Sequence, residues 1–258
     1  MKTPFLACTA LLIGPLLGAG VRAEIPADRA QALIATHQDS VLIVQGTLKS
    51  VESRSERSIA LAGTVVDTSG LVVISSSFSA EEWKHIEQRL VYVLPDGTEL
   101  PARLVLSDED LALAVLAPVP KPGEPRPVFK PVILERDTQA DVYTDVLTLS
   151  RLGKDYHFRP AADIGKVIAV TTRPRREYLV GTNPGGPHRL GLPTFLVDGR
   201  LLGINTISRE EARGARRPGM AAMAAQPPPP HGHLVPAAAV AELLEQARKA
   251  AAAEAPAK

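Results

Sequence analysis

What this chain can fold into is set above all by a succession of short apolar runs, each cut off by a turn signal. Residues 41–51, 59–67, 71–75, 90–94, 100–106 and 111–119 form one set; residues 142–150, 162–171, 178–182, 194–197 and 201–207 form another. The runs are too short for ordinary helices and alternate or stay apolar throughout, as half-buried and fully buried strands do. Ser69-Gly70, Asp96-Gly97 and Asp198-Gly199 supply hairpin chemistry between them. Short strands at this spacing argue for a sandwich or a barrel. Helical periodicity is confined to three places. Residues 26–37 carry Ala30, Leu33, Ile34 and His37 on one face; residues 80–88 are polar; residues 236–252 carry Val240, Leu243, Leu244 and Ala247 on one face behind Pro236.

The two strand sets are separated by a proline-rich stretch, APVPKPGEPRPVFKP, at residues 117–131. Proline donates no ladder hydrogen bond and favours extended geometry, so this reads as a link between two sub-barrels rather than as a PxxP ligand. The expected organisation is a first barrel over 24–120, a linker over 121–131, and a second barrel with its terminal helix over 132–250. An insertion occupies 209–233 and a frayed tail 251–258. No sequence repeat is visible. Residues 1–23 read as a secretory signal, with Lys2, an apolar core over 5–17 and Val21-Arg22-Ala23 before the cut. The core is too short to span a bilayer, although retention as an anchor is the alternative. A secreted or periplasmic location follows. Cys8, the only cysteine, lies in that segment, which leaves the remainder without a disulfide, a thiolate nucleophile or a cysteine ligand. Removing Lys2 and Arg22 with the segment leaves 27 basic against 28 acidic residues. That balance argues against a nucleic-acid partner.

Several blocks carry a more specific pattern. Residues 41–46 read VLIVQG, residues 63–78 GTVVDTSGLVVISSSF, residues 94–106 LPDGTELPARLVL, residues 111–116 LALAVL, residues 191–208 GLPTFLVDGRLLGINTIS, and residues 233–236 HLVP. In order and spacing they resemble the trypsin-like domain of HtrA/DegP-type serine proteases, over roughly residues 38–250. The resemblance implies an all-β fold of two six-stranded antiparallel barrels with a short N-terminal and a C-terminal helix. It lacks the PDZ module of full-length HtrA proteins. In this register the family's catalytic histidine falls on Ser77, its aspartate on Ala112 and its nucleophilic serine on Leu190. A second register, through Asn183-Pro184-Gly185-Gly186-Pro187, puts Pro184 at the serine position.

Acyl transfer by this fold needs a hydroxyl to attack, an imidazole to take its proton and a carboxylate to hold the imidazole. Ser77 is no base at neutral pH, Ala112 orients nothing and Leu190 does not attack. The glycine that helps shape the family's oxyanion turn is replaced by His188. The catalytic set is therefore expected to be empty, with Ser77, Ala112 and Leu190 marking degenerate positions. No cofactor and no metal are expected.

The remaining candidates have simpler readings. Ser75, Ser76, Ser77 and Ser79 suit turn hydrogen bonding. His85 is expected exposed on a helix, and His37 and His157 are expected isolated. His231 and His233 lack preorganised ligand spacing, even with His188 as a third group. Asp108, Glu109 and Asp110 read as a solvated acidic turn, and Arg173, Arg175 and Arg176 as a solvated hairpin tip. No phosphate-cradling motif is present. The expected function is a secreted pseudoprotease that binds an extended peptide or protein segment between its barrels. The alternatives are an active HtrA-type endopeptidase with relocated groups and an envelope holdase chaperone.

Overall fold

The computed structural model describes residues 25–51, 56–120, 123, 127–173, 175–181, 190–207 and 231–253, without the side chains of Arg57 and His231. The signal segment, the stretch before Leu190, most of the insertion and the last five residues lie outside the described residues.

Two closed six-stranded antiparallel barrels make up the body of the protein. The first uses β1 (Val41–Ser50), β2 (Glu56–Val65), β3 (Val72–Ser75), β4 (Ile86–Val93), β5 (Glu99–Asp108) and β6 (Leu113–Pro118). The second uses β7 (Asp145–Arg151), β8 (Pro160–Thr171), β9 (Glu177–Gly181), β10 (Pro193–Leu196), β11 (Leu201–Thr206) and β12 (His231–Pro236). Strand order runs β1-β2-β3-β6-β5-β4 in one and β7-β8-β9-β12-β11-β10 in the other. The same topology thus occurs twice, although the sequence shows no repeat. Closure leaves each barrel with no long unpaired margin. Three of the tight turns end in a glycine at positive φ: Gly70, Gly97 and Gly199.

Apolar side chains sort into three clusters. Leu42, Val44, Ile74, Tyr92 and Leu116 fill the first barrel, and Val146, Tyr178, Val180, Leu202 and Leu234 fill the second. The largest cluster lies between them, where Val73, Leu113 and Val115 meet Leu147, Leu149 and Ile204. Strands at this junction bury both faces, which is why β3 and β6 read as continuous rather than alternating runs.

Among the described residues three α-helices accompany the barrels: α1 (Ala27–His37), α2 (Ala80–Lys84) and α3 (Ala237–Ala253). None is long and apolar enough to cross a membrane. The stretch 80–88 is helical only to Lys84. A capping box starts it, with Ser79 Oγ accepting from Glu82 N at 3.1 Å and Glu82 Oε2 accepting from Ser79 N at 2.6 Å. From Ile86 the chain pairs with β1, and that ladder overrides local helix preference. The insertion also ends earlier than expected, since β12 begins at His231, while helix α3 reaches Ala253.

The helices dock in an order the sequence does not suggest. Helix α1, although it precedes the first barrel, lies against the second. Arg29 Nε donates to Val197 O at 2.6 Å, Leu33 packs over the Gly199 turn, and the His37 ring stacks on Phe195 at 4.3 Å. Helix α3, although it follows the second barrel, reaches back to the first. There the Arg248 guanidinium pairs with the largely buried Asp67 carboxylate, Nε to Oδ2 at 2.8 Å. Arg151 clamps the barrels from the second side. It donates to Val41 O at 2.7 Å, to Phe158 O at 2.6 Å and to Gln38 O. The connection between the barrels is not a free linker throughout. Phe129 is buried against Tyr92, and Val132 N donates to Val65 O at 3.0 Å.

Candidate functional site at the barrel junction

Each of the three positions expected to be degenerate stands near the end of a junction strand. Ser77 lies two residues after β3, Ala112 directly precedes β6, and Leu190 lies three residues before β10. Antiparallel pairing of Ser75 with Leu113 brings the first two ends together. The contact continues past the ladder, because Ser76 N donates to Ala112 O at 2.9 Å. The third end is joined from the other barrel. Gly191 holds φ +81°, and a Cβ added to it would lie 2.2 Å from Ala62 O and 3.4 Å from Ser75 N. Only a residue without a side chain fits so close to β2 at that dihedral. Thr64 Oγ1 donates to Gly191 O at 2.7 Å, and Gly191 N donates to Asn205 O at 2.8 Å. Three blocks far apart in the sequence therefore meet at one junction.

The chemistry there is that of a closed hydrogen-bond network. Ala112 is buried and left-handed, with φ +51°. Its carbonyl accepts from Ser76 N and also from Thr206 Oγ1, at 2.7 Å. Thr206 Oγ1 lies 3.1 Å from Ser75 Oγ. A backbone carbonyl and two hydroxyls thus join β3, the β5–β6 turn and β11. Leu190, by contrast, is 37% exposed.

The neighbouring serines have structural work. Ser76 Oγ accepts from Phe78 N at 3.2 Å and from Trp83 Nε1 at 3.3 Å, and Ser79 caps α2. Asp108 is no substitute carboxylate. Its Oδ1 accepts from Asp110 N and Leu111 N, both at 2.9 Å, and so shapes the turn that leads to Ala112. His85 stays exposed at the end of α2, 3.6 Å from Glu81, and His157 is exposed in a left-handed turn. His37 is not isolated as expected. It is half-buried on Phe195, and desolvation lowers its pKa below the ordinary histidine value.

The basic tip is also more than a solvated face. Arg176 donates to Gln139 Oε1, and Arg175 donates to Asp110 O in the opposite barrel while its Nε donates to Glu177 Oε1 at 2.8 Å. Glu177 Oε2 in turn lies 4.0 Å from His233 Nδ1. Arg175, Glu177, His233 and Thr206 line a void of about 10 Å³ beside Ala112. That is room for no more than one water. No single-sequence signal pointed to Thr206, Glu177 or this use of Arg175, since their meeting depends on how the barrels pack.

Larger cavities lie elsewhere. One of about 640 Å³ adjoins the β10–β11 hairpin, one of about 320 Å³ lies under α1, and one of about 310 Å³ lies beside Phe129. None of them is lined by Ser77, Ala112 or Leu190. Among the described residues no three His, Cys, Asp or Glu side chains come together as metal ligands.

The two-barrel architecture is compatible with a trypsin-like fold. No family model matches the chain, and no curated protein matches it.

Proposed function

We propose that this chain is a secreted pseudoprotease, a trypsin-like domain of HtrA type that binds an extended peptide or protein segment and does not hydrolyse it. The observation that carries the reading is the convergence of Ser77, Ala112 and Leu190 on the barrel junction, with no base and no carboxylate among them and no hydroxyl at position 190. The triad works as a unit, so loss of all three members leaves at most the residual rate that binding alone supplies. The hydroxyls nearby support the same reading. Ser75 and Thr206 are bonded to one another, and the Ala112 carbonyl takes the Thr206 proton. A hydroxyl committed in this way is not poised to attack a peptide carbonyl. What such an architecture has left to offer a partner is the surface between its barrels, since closure leaves no long free edge for strand addition.

The test is chemical. Purified protein is treated with a fluorophosphonate probe and, separately, with casein. Neither labelling nor turnover is expected. Leu190→Ser by itself is expected to stay unlabelled, because Ser77 and Ala112 provide no base and no carboxylate. Labelling of the wild type, abolished by one Ser→Ala change, would restore the relocated-endopeptidase reading. Labelling of Leu190→Ser would reveal a base at the junction and refute the assignment of Ser77. The binding half is tested by screening immobilised protein against a library of unfolded peptides; retention of none would remove it.

A further inference from the structure

The β5–β6 turn of the first barrel is held at two points by side chains of the second. Arg175 donates to Asp110 O, and Thr206 Oγ1 donates to Ala112 O at 2.7 Å. His233 is the cross-strand partner of Thr206, so both project from the same face of adjacent strands. Its Nδ1 faces Glu177 Oε2 at 4.0 Å, and the other oxygen of that carboxylate takes Arg175 Nε at 2.8 Å. We propose that Arg175, Glu177 and His233 form a proton-sensitive latch between the barrels, tightened when His233 gains a proton.

Glu177 fixes the guanidinium that reaches Asp110. With His233 neutral, one oxygen of Glu177 is bound by a cation and the other is not. A protonated imidazole closes the 4.0 Å gap by donating to the second oxygen, which anchors the carboxylate at both ends and with it the orientation of Arg175. Histidine is the side chain that makes this change at mildly acidic pH. The three side chains are only 24–28% exposed, so solvent screens them less than a surface pair. The charged and titratable groups facing the void among the described residues are Glu177 from β9, Arg175 from the segment before it and Asp110 from the β5–β6 turn. Strand β11 contributes the uncharged Thr206 to the same surface, and the turn contributes Leu111 and Ala112. Arg175 opposes the proton on His233, and Glu177, which faces the imidazole directly, favours it. The latch acts on how the barrels are held together, whether or not the cleft between them binds a peptide.

The experiment is a nuclear magnetic resonance titration of the His233 ring in the full chain, with two variants that act in opposite directions. Glu177→Gln is expected to move the His233 midpoint down by about half a pH unit, and Arg175→Gln to move it up. A second reading follows the Ser76 amide, which donates to Ala112 O in the first barrel. Its exchange protection, corrected for intrinsic rate, is expected to be about threefold higher at pH 5.5 than at pH 7.5 in the wild type. In His233→Gln that difference is expected to vanish. An unchanged midpoint in Glu177→Gln, or Ser76 protection with the same pH dependence in His233→Gln, overturns the proposal. A midpoint shift without a Ser76 response also overturns it, because the pair would then be local and would not act across the barrels.

Discussion

Gly191→Ala tests the junction at its tightest point. The new Cβ would stand 2.2 Å from Ala62 O, where real Cβ contacts do not fall below 3.0 Å. The chain must therefore move by at least about 0.8 Å, and the nearest atoms, Ala62 O, Ala62 C and Ser75 N, are all backbone, so no side chain can swing away. Overlap of this kind costs about 1–3 kcal/mol. Holding alanine at φ +81° adds about 1–2 kcal/mol. The shift also strains the 2.7 Å bond from Thr64 to Gly191 O, worth about 1 kcal/mol. The total is about 3–6 kcal/mol, or a fall in Tm of about 6–24 °C for a domain of this size. Gly153→Ala is the control. Its φ is −73°, and an added Cβ meets nothing within 4 Å, so it is expected to change stability by less than about 0.5 kcal/mol. Urea unfolding followed by Trp83 fluorescence reads both. If Gly191→Ala came within about 1 kcal/mol of the control, the barrels would not be seated against each other at Ala62. The grouping of Leu190 with Ser77 and Ala112 would then lose its geometric basis.

Two further expectations concern pH. At Asp67, burial pushes the carboxyl upward, but hydrogen bonds from Ser69 and the Arg248 guanidinium outweigh it and leave the pKa below the ordinary value. The stability this contributes is present above the unfolded pKa and is lost as pH falls through the folded one. Arg248→Met is therefore expected to be less stable at neutral pH and to lose less on acidification below about pH 4, as measured by thermal melts across that range. At His37, burial lowers the pKa, so the unfolded chain binds the proton first. Stability is then full above the unfolded value and declines as pH falls from about 6.5. His37→Phe, which can keep a ring on Phe195, is expected to flatten that decline; an unchanged slope between pH 7 and 5 would show that His37 does not titrate in the docked helix.

The strands were legible because their constraint is local. A run that must bury one or both faces shows it in alternation or in continuous apolarity, and ten of the eleven expected runs differ from the observed strands by a few residues at their ends or less; the run at 90–94 proved to be the latter part of a strand that begins at Ile86. Strand β12 was only half visible. His231-Gly232-His233 carries no apolar signal, and pairing with β9 and β11 supplies the order that composition does not. The helix over 80–88 was overextended for the converse reason, since polar Glu87 and Gln88 gain a ladder with Lys49 and Leu48 that a helix cannot match. Ser77, Ala112 and Leu190 were each read from a separate block, and their meeting needed no new residue. Thr206, Arg175, Glu177 and His233 were out of reach, because their roles arise from the seating of one barrel on the other. The docking of α1 on the second barrel and of α3 on the first belongs to the same class.

Ala112 shows how the junction is held by a backbone group. A non-glycine residue at φ +51° carries strain of about 1 kcal/mol or more, and it remains there only when its surroundings fix it. Here the fixing is done through its carbonyl, which takes one donor from each barrel, Ser76 N and Thr206 Oγ1. Neither bond depends on what side chain position 112 bears. Gly191 behaves likewise, contributing its carbonyl to Thr64 and its N–H to Asn205. The chemistry of a triad resides in side chains, whereas the main-chain groups that seat these barrels belong to Ala112 and to Ser76 and Gly191, the neighbours of positions 77 and 190. On the pseudoprotease reading proposed above, a change that removed a side chain at position 112 would leave these bonds in place. The hydroxyls of Ser75 and Thr206 then add to the junction, since without a base between them they bond to each other across the barrels.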